Sequence, residues 1–486
     1  LYKLFGHFSL VLLVGFTTLD AQSFENFKKS QTQSFQTYKD ERDSAFNKYL
    51  KQEWKAYNAY AGTPLYEEPK PANITPTQPQ ISEPVGPKIS IKIKKALPIE
   101  SKPAEDTVVI KKETPVTIEL KMKDKEVNID FYGSRLGFDV PSGIKKANFY
   151  PQTQEGIANF FSSAASSEYE SLISDINLAS TAMELNDWGV YLLVSKISAQ
   201  VYTNQENAKL LSCFIFNKLG YAVKIGLANK HVVLMHYSEK IIYSTPNYSF
   251  DEKKYYVVAN YDKGSIGRVF SYKQDYPGSI KPLDLSLNTL PKLSSDIKSK
   301  TLAFTQFGNT YSVPFEYNKN LLDFMATYPQ ADYETFFNAP VDSRTYEAVA
   351  SALKKYIDGK KASEAMNFVL SFVQKSFAYE RDDQQFGREK VMFAQETLYF
   401  DKSDCEDRAV LFSYLVKELF SVSVVGVKYK DHMATALYVP INGDEVTSES
   451  KRFVVADPTY VNANIGMSMP KYKSIKPQSF IIVSQN

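Results

Sequence analysis

Apolar and polar positions follow three different rhythms along this chain. Over 22–60, aromatic residues recur every eleven positions. Phe24, Phe35, Phe46 and Tyr57 form one series, and Phe27, Tyr38, Tyr49 and Tyr60 form another, with Lys, Gln, Glu, Asp and Ser between them. Eleven residues close three helical turns at about 3.67 residues per turn. The spacing therefore predicts one long amphipathic helix over 22–61, carrying a single aromatic stripe. Such a stripe either folds back on the globular part of the chain or serves self-association and docking on a partner. Over 62–126 the apolar rhythm disappears, and ten prolines fall between Pro64 and Pro115. That composition predicts an extended, polyproline-like tether. From 127 onward helical and strand periods alternate as in a globular protein. Residues 155–186 read as helical, and 254–261 alternate as a strand does.

Two segments of the globular part resemble each other at an offset of 200. Glu206 matches Glu406, Leu211 matches Leu411, Leu219 matches Leu419, Gly226 matches Gly426 and Lys230 matches Lys430. After a one-residue shift His231 matches His432, and Thr245-Pro246-Asn247-Tyr248 matches Asp457-Pro458-Thr459-Tyr460. An internal duplication follows, with one copy over 127–286, a connecting segment over 287–340 and a second copy over 341–486.

Composition narrows the chemistry. The chain has 486 residues, suited to more than one domain. Its 57 Lys and Arg nearly cancel 55 Asp and Glu, so no basic field points to nucleic acid. Two cysteines, Cys213 and Cys405, cannot build a disulfide scaffold or a four-cysteine zinc site, and four histidines leave little for a metal centre. No cofactor is expected. Residues 1–21 read as an export signal: Lys3, an apolar run over 8–16, and Ala21 before Gln22. The run is too short to span a bilayer comfortably. The expected location is the bacterial periplasm or cell envelope, with no membrane span in the mature chain.

The sharpest chemical signal is in the second copy. Asp404-Cys405-Glu406-Asp407 precedes Ala409, Val410, Phe412, Leu415, Val416 and Leu419, a helical spacing that buries one face. Ser403 or Asp404 can cap that helix, placing Cys405 in its first turn, where the dipole favours a thiolate. A strand-like run over 422–428 leads to Asp431-His432, and another over 453–456 ends at Asp457-Pro458. A neutral imidazole can take the thiol proton and later return it, while a carboxylate fixes its tautomer.

This order of Cys, His and Asp-Pro resembles the transglutaminase-like family of papain-type cysteine enzymes. Gln395-Glu396-Thr397-Leu398 ahead of Ser403-Asp404-Cys405-Glu406-Asp407 is similar to the bacterial transglutaminase-like cysteine proteases. Ser403 stands where that family often has Gly, and Met433-Ala434 where an Ala-Trp or Ala-Tyr pair is common. The resemblance implies an α+β fold of duplicated papain-type domains, each a helix packed on an antiparallel sheet. It also implies a triad of Cys405, His432 and Asp457. The Cys405 amide would be one oxyanion donor and Tyr399 a second. In the first copy Gln205 stands for Cys405 and Thr245 for Asp457, so only His231 remains and no thioester can form there. Cys213 aligns with Ser413 inside the helix, and His236 has no assigned role.

The expected activity is that of a thiol peptidase or amidase on a peptide or protein substrate, such as one of the cell envelope. Transfer to water is favoured over transfer to an amine, since no calcium-loop pattern is present. The alternative is a non-catalytic, two-lobed scaffold that binds envelope or peptide.

Overall fold

A computed structural model describes residues 33, 37, 39–52, 54–93, 125–260 and 266–484. The export signal at 1–21 and nearly all of 22–38 lie outside the described residues. Helix α1 covers 39–50, and strand β1 (Lys55–Tyr57) follows it directly. The predicted helix thus ends well short of residue 60, because its stripe is buried in the chain's own core. Phe46 meets Phe161, Tyr272 and Tyr276 edge-on at 5.2, 5.8 and 5.1 Å, and Leu50 and Trp54 are buried. Asp43 accepts hydrogen bonds from Lys218 and Tyr276. Tyr57, expected on the helix, instead packs on Phe250 at 4.3 Å from a strand whose backbone finds partners at a sheet edge. Of the two uses open to the stripe, folding back is the one that 39–57 adopts.

The first half begins with the hairpin β2 (Val127–Phe131) and β3 (Ser134–Phe138). Helices α2 (Ser142–Lys146), α3 (Gln154–Ala165), α4 (Glu170–Ala182), α5 (Asp187–Val201) and α6 (Gln205–Lys218) follow. Strands β4 (Val223–Ala228), β5 (His231–Tyr237), β6 (Asn247–Phe250), β7 (Lys253–Tyr256) and β8 (Val269–Ser271) then form an antiparallel sheet with β1. Its order is β1-β8-β4-β5-β7-β6. Helix α6 packs on β4 and β5.

The connecting segment is a long hairpin, β9 (Ile297–Gln306) and β10 (Asn309–Asn318), followed by α7 (Lys319–Met325) and α8 (Tyr333–Phe337). The hairpin rests on the second half, with Phe304 against Phe368 at 5.4 Å and the Tyr356 hydroxyl donating to Ser312 O at 3.2 Å. The second half continues with α9 (Ser343–Ile357), α10 (Ala362–Lys375), β11 (Ala378–Tyr379), α11 (Asp382–Gln385), α12 (Ala394–Tyr399) and β12 (Lys402–Ser403). Helix α13 (Cys405–Phe420) is followed by β13 (Val424–Lys428), β14 (Met433–Leu437), β15 (Glu445–Ser448), β16 (Lys451–Ala456) and β17 (Ser479–Ile482). The fold is α+β, with the antiparallel order β15-β16-β14-β13-β17. Helix α13 packs on β13 and β14. Taken in chain order, β4 to β8 follow α6 along the path that β13 to β17 follow after α13.

The Pro-rich segment is not a free tether over its described part, 62–93. It runs extended along the body. Ser244 N donates to Thr63 O, Glu68 N to Lys430 O, Thr77 N to Val461 O and Ile89 N to Lys360 O. Leu65, Lys70 and Ile91 are buried. The prolines enforce the extended form, and several of its amides and carbonyls find partners on the body, most of them in the second half. Among the described residues no helix is long and apolar enough to cross a membrane.

Candidate active site

Cys405 is the first residue of α13 and is wholly buried. The helix start is fixed by Asp404 N, which donates to Asp407 Oδ2 at 3.2 Å. From the next turn Arg408, also buried, ties three elements together. Its Nε donates to Ser403 Oγ at 3.0 Å, and its Nη atoms donate to Gln374 O at 3.3 Å and Phe377 O at 2.8 Å. Ser403, the departure from the family pattern, thus has a definite partner. The Gln-Glu-Thr-Leu motif forms the wall behind the tip. Glu396 accepts from Phe393 N at 3.1 Å and Lys390 Nζ at 2.8 Å, and Thr397 Oγ1 donates to Phe393 O at 3.3 Å.

The sheet register sets the other two predicted residues side by side. Thr435 of β14 pairs with Ala456 of β16, so the residue just before β14 and the residue just after β16 are neighbours. His432 Nε2 and Asp457 Oδ2 lie 2.9 Å apart, both side chains buried. Asp457 Oδ1 accepts from Thr459 N and Tyr460 N at 2.9 and 3.2 Å, a turn that locks the carboxylate. Gln374 Nε2 donates to Asp457 O at 3.0 Å, so Gln374 couples this strand end to Arg408 and the helix tip. With Nε2–H donating to Asp457, the lone pair of the imidazole is at Nδ1, which is buried and has no hydrogen-bond partner among the described residues. The ring of Tyr472 stacks on His432 at 4.7 Å. Burial, then Asp431, push its phenol up, and Cys405 and Asp457 add to that shift, so one tyrosine senses both outer members of the predicted triad.

The thiol is not the low-pKa nucleophile that its helix position predicts. Burial pushes it well up, and Glu406 and Asp404 push it further, outweighing Lys70. Its Sγ donates to Glu406 Oε2 at 3.1 Å. Lys70, from the extended segment, sits in the middle of the acidic group. Its ammonium is 2.5 Å from Glu406 Oε1, 2.6 Å from Asp404 Oδ2, 2.9 Å from Asp382 Oδ2 and 2.5 Å from Glu389 Oε1. Burial pushes the Glu406 carboxyl up, but Lys70 pulls it below the usual range. Burial raises Asp382 to about 6 and Glu389 to about 7. These hard oxygens would suit a hard cation, and the Lys70 ammonium occupies their centre.

Tyr399, the predicted second oxyanion donor, is placed elsewhere. Its ring packs on Tyr317 at 5.3 Å and Phe400 at 5.1 Å, toward the β9–β10 hairpin. A tyrosine that feels the thiol is Tyr379 of β11, which pairs with Ser403, two residues before Cys405. After burial, Cys405 is the largest influence raising its phenol, followed by Asp404 and Glu406. Its hydroxyl donates to Pro71 O at 2.7 Å. Sequence reasoning missed Tyr379, Lys70, Asp382 and Glu389, since they come from loops and short elements without periodicity.

In the first half, Gln205 opens α6 as Cys405 opens α13. The match of Thr245 to Asp457 fails. Thr245 precedes β6, whereas the strand in the place of β16 is β7, and the residue after it is Val257. His231 is largely exposed and lies 3.4 Å from Glu206 Oε1. Gln205, Lys209, His231 and Val257 line a cavity of about 530 Å³. Cys213 is buried inside the helix, and burial raises its thiol to about 12. His236 is buried between Tyr191 and Phe216, at 5.2 and 4.8 Å. The chain matches no family model, no curated protein and no solved structure.

Proposed function

We propose that the chain is an exported thiol peptidase or amidase of the transglutaminase-like kind, built from two copies of that papain-type fold of which only the second is catalytic. The observation that carries this reading is the buried pair of His432 and Asp457, 2.9 Å apart at the adjoining ends of β14 and β16, the first of which packs on the Cys405 helix. A carboxylate bonded to Nε2 leaves Nδ1 free to take the thiol proton. The Cys405 sulfur then bonds to the amide carbon, and the C–N bond breaks as His432 returns that proton to the leaving amine. Water, deprotonated by His432, hydrolyses the thioester, which gives a carboxylic acid and regenerates the thiol. The Cys405 amide, in the helix's first turn and without an intrahelical acceptor, steadies the oxyanion. The substrate is a peptide or isopeptide amide of the cell envelope, and the location is the periplasm.

A second reading is a two-lobed binding scaffold, and the cavity of about 530 Å³ in the first half favours it. The two readings separate when mature wild-type protein and Cys405→Ala are incubated with envelope extract. Mass spectrometry should find peptides released only by the wild type. Identical product profiles would leave the scaffold.

A further inference from the structure

The extended segment runs by the elements that carry Cys405, His432 and Asp457. Glu68 N donates to Lys430 O at 3.3 Å, two residues before His432. Thr77 N donates to Val461 O at 3.0 Å, and Asn462 Nδ2 donates to Thr77 O at 2.9 Å, just beyond Asp457. Just ahead of the first anchor Tyr66 donates to Glu406 Oε2 at 3.2 Å, and between the two anchors Lys70 reaches the helix tip. Residues 68–77 therefore pass from the His432 turn, by the Cys405 end of α13, to the Asp457 turn.

Two details make this path resemble a bound peptide rather than a packing strap. The first is the carbonyl of Pro71, which accepts from Tyr379, a residue that strand pairing sets against Ser403, two positions before Cys405. That is the bond a substrate carbonyl would receive there. The second is the ammonium of Lys70. Asp382, Glu389, Asp404 and Glu406 surround a single cation that comes from more than 300 residues away in sequence. A strap held only by packing would put an apolar side chain here, since burying unbalanced charge is costly. Four carboxylates converging on one lysine-length amine form a recognition pocket. Pro69 and Pro71 on either side of Lys70 hold the backbone extended, which lowers the entropy lost on docking.

We infer that residues 66–77 occupy the substrate cleft in cis as a blocking pseudo-substrate, and that the Asp382, Glu389, Asp404 and Glu406 pocket selects an extended peptide bearing a lysine-like primary ammonium. The inference rests on the thiol-enzyme reading of Cys405. In the chain as described, the thiol is covered and hydrogen-bonded to Glu406; displacement of the segment opens both the thiol and the pocket.

The test is peptide-resolved alkylation of Cys405 by iodoacetamide in the folded full-length mature chain, which reads access and needs no turnover. Alkylation should be slow in wild type and faster by about ten-fold or more in Lys70→Ala, because the open state becomes more populated. A synthetic peptide of residues 61–80 should restore protection to Lys70→Ala, whereas the same peptide with Lys70→Met should not. Asn462→Ala, which loosens the segment at Thr77 away from the acidic group, should also speed alkylation, and it decides the matter if circular dichroism shows Lys70→Ala unfolded. Equal rates in wild type and the folded variants would overturn the blocking role. Equal protection by the two peptides would overturn the ammonium pocket. Failure of the enzyme reading looks different: Cys405 becomes accessible in the variants, yet His432→Ala does not slow its alkylation and no peptide is cleaved.

Discussion

Lys70 and Cys405 share one carboxylate. Glu406 Oε1 lies 2.5 Å from the Lys70 ammonium, while Oε2 accepts from the thiol at 3.1 Å. The negative charge that holds the lysine in place also holds the proton on sulfur. In Glu406→Gln the charge is gone but a carbonyl oxygen remains, so the midpoint of Cys405 ionisation should move to lower pH. Burial, the larger cause, still keeps it above the value of a free thiol. Ultraviolet absorbance of the thiolate, taken as the difference from Cys405→Ser, measures the shift. An unmoved or higher midpoint would show that Glu406 does not control the sulfur.

In the proposed thiol mechanism Asp457 acts through the tautomer it imposes on His432. In Asp457→Asn the amide oxygen can still accept from Thr459 N and Tyr460 N. The amide N–H then faces His432 Nε2, which must become the acceptor and pushes the ring proton to Nδ1. An imidazole in that form cannot take the thiol proton. The rate of peptide release from saturating envelope extract should fall by about 10³–10⁴-fold, with KM little changed. A modest loss, or one confined to KM, would leave Asp457 a turn residue.

The acidic group around Lys70 gives stability a definite slope with pH. Burial raises Asp382 to about 6 and Glu389 to about 7. Between the ordinary carboxylate range and those values, the folded protein retains protons that the unfolded chain has released. The contribution of these two groups to stability therefore falls as pH rises from about 4.5 to 7, and it is restored as pH is lowered through that window. Glu389→Gln removes one of these protons, so its melting temperature should fall less over that range than that of wild type. Thermal melts at several pH values check the slope, and an unchanged slope refutes the assignment.

Arg408 is the joint between the cysteine helix and the aspartate strand. One guanidinium serves Ser403, Gln374 and Phe377, and Gln374 in turn serves Asp457. An ammonium on a lysine stem cannot reach three such acceptors from one position. Arg408→Lys should destabilise the second half by about 3–5 kcal/mol, because buried carbonyls lose their donors around a charge that remains. Urea unfolding followed by circular dichroism measures this, and a loss under about 1 kcal/mol would mean that the joint is redundant.

Much of this was legible from residue order. The spacing of Ala409, Val410, Phe412, Leu415, Val416 and Leu419 predicted α13 with Cys405 in its first turn, and the runs before His432 and Asp457 predicted β13 and β16. Gly226 and Gly426, matched in the sequence, sit in strands of the same rank, where a Cβ would come within 3.1 Å of Val269 and 3.0 Å of Phe337. What failed depended on partners distant in sequence. No local pattern says that Lys70 meets Glu406, or that Phe46 finds Tyr272 and Tyr276, so a docked segment read as a tether and a folded-back helix read as a long one. The helix-dipole argument for a thiolate failed for the same reason, since burial and the carboxylates converging on the tip outweigh it. The alignment of Thr245 with Asp457 followed a Pro dipeptide rather than strand order, and strand order puts Val257 there.

His236 offers a test of the first half that is independent of the thiol. Its ring is wholly buried between Tyr191 and Phe216, and neither ring nitrogen has a hydrogen-bond partner among the described residues. Burial lowers its pKa to about 3. The sign is opposite to that of Glu389. Below about 6.5 the unfolded chain takes up a proton that the folded chain refuses, so this residue costs stability increasingly as pH falls toward 3. Leucine has no polar atoms to leave unsatisfied and nothing to protonate. His236→Leu should therefore match or exceed wild-type stability at neutral pH, and its margin over wild type should widen on acidification from pH 7 to pH 4. Melting curves across that range decide it. A margin that shrinks with acid would mean that His236 is protonated and partnered in the folded protein, making it a functional group of the first half rather than a packing residue.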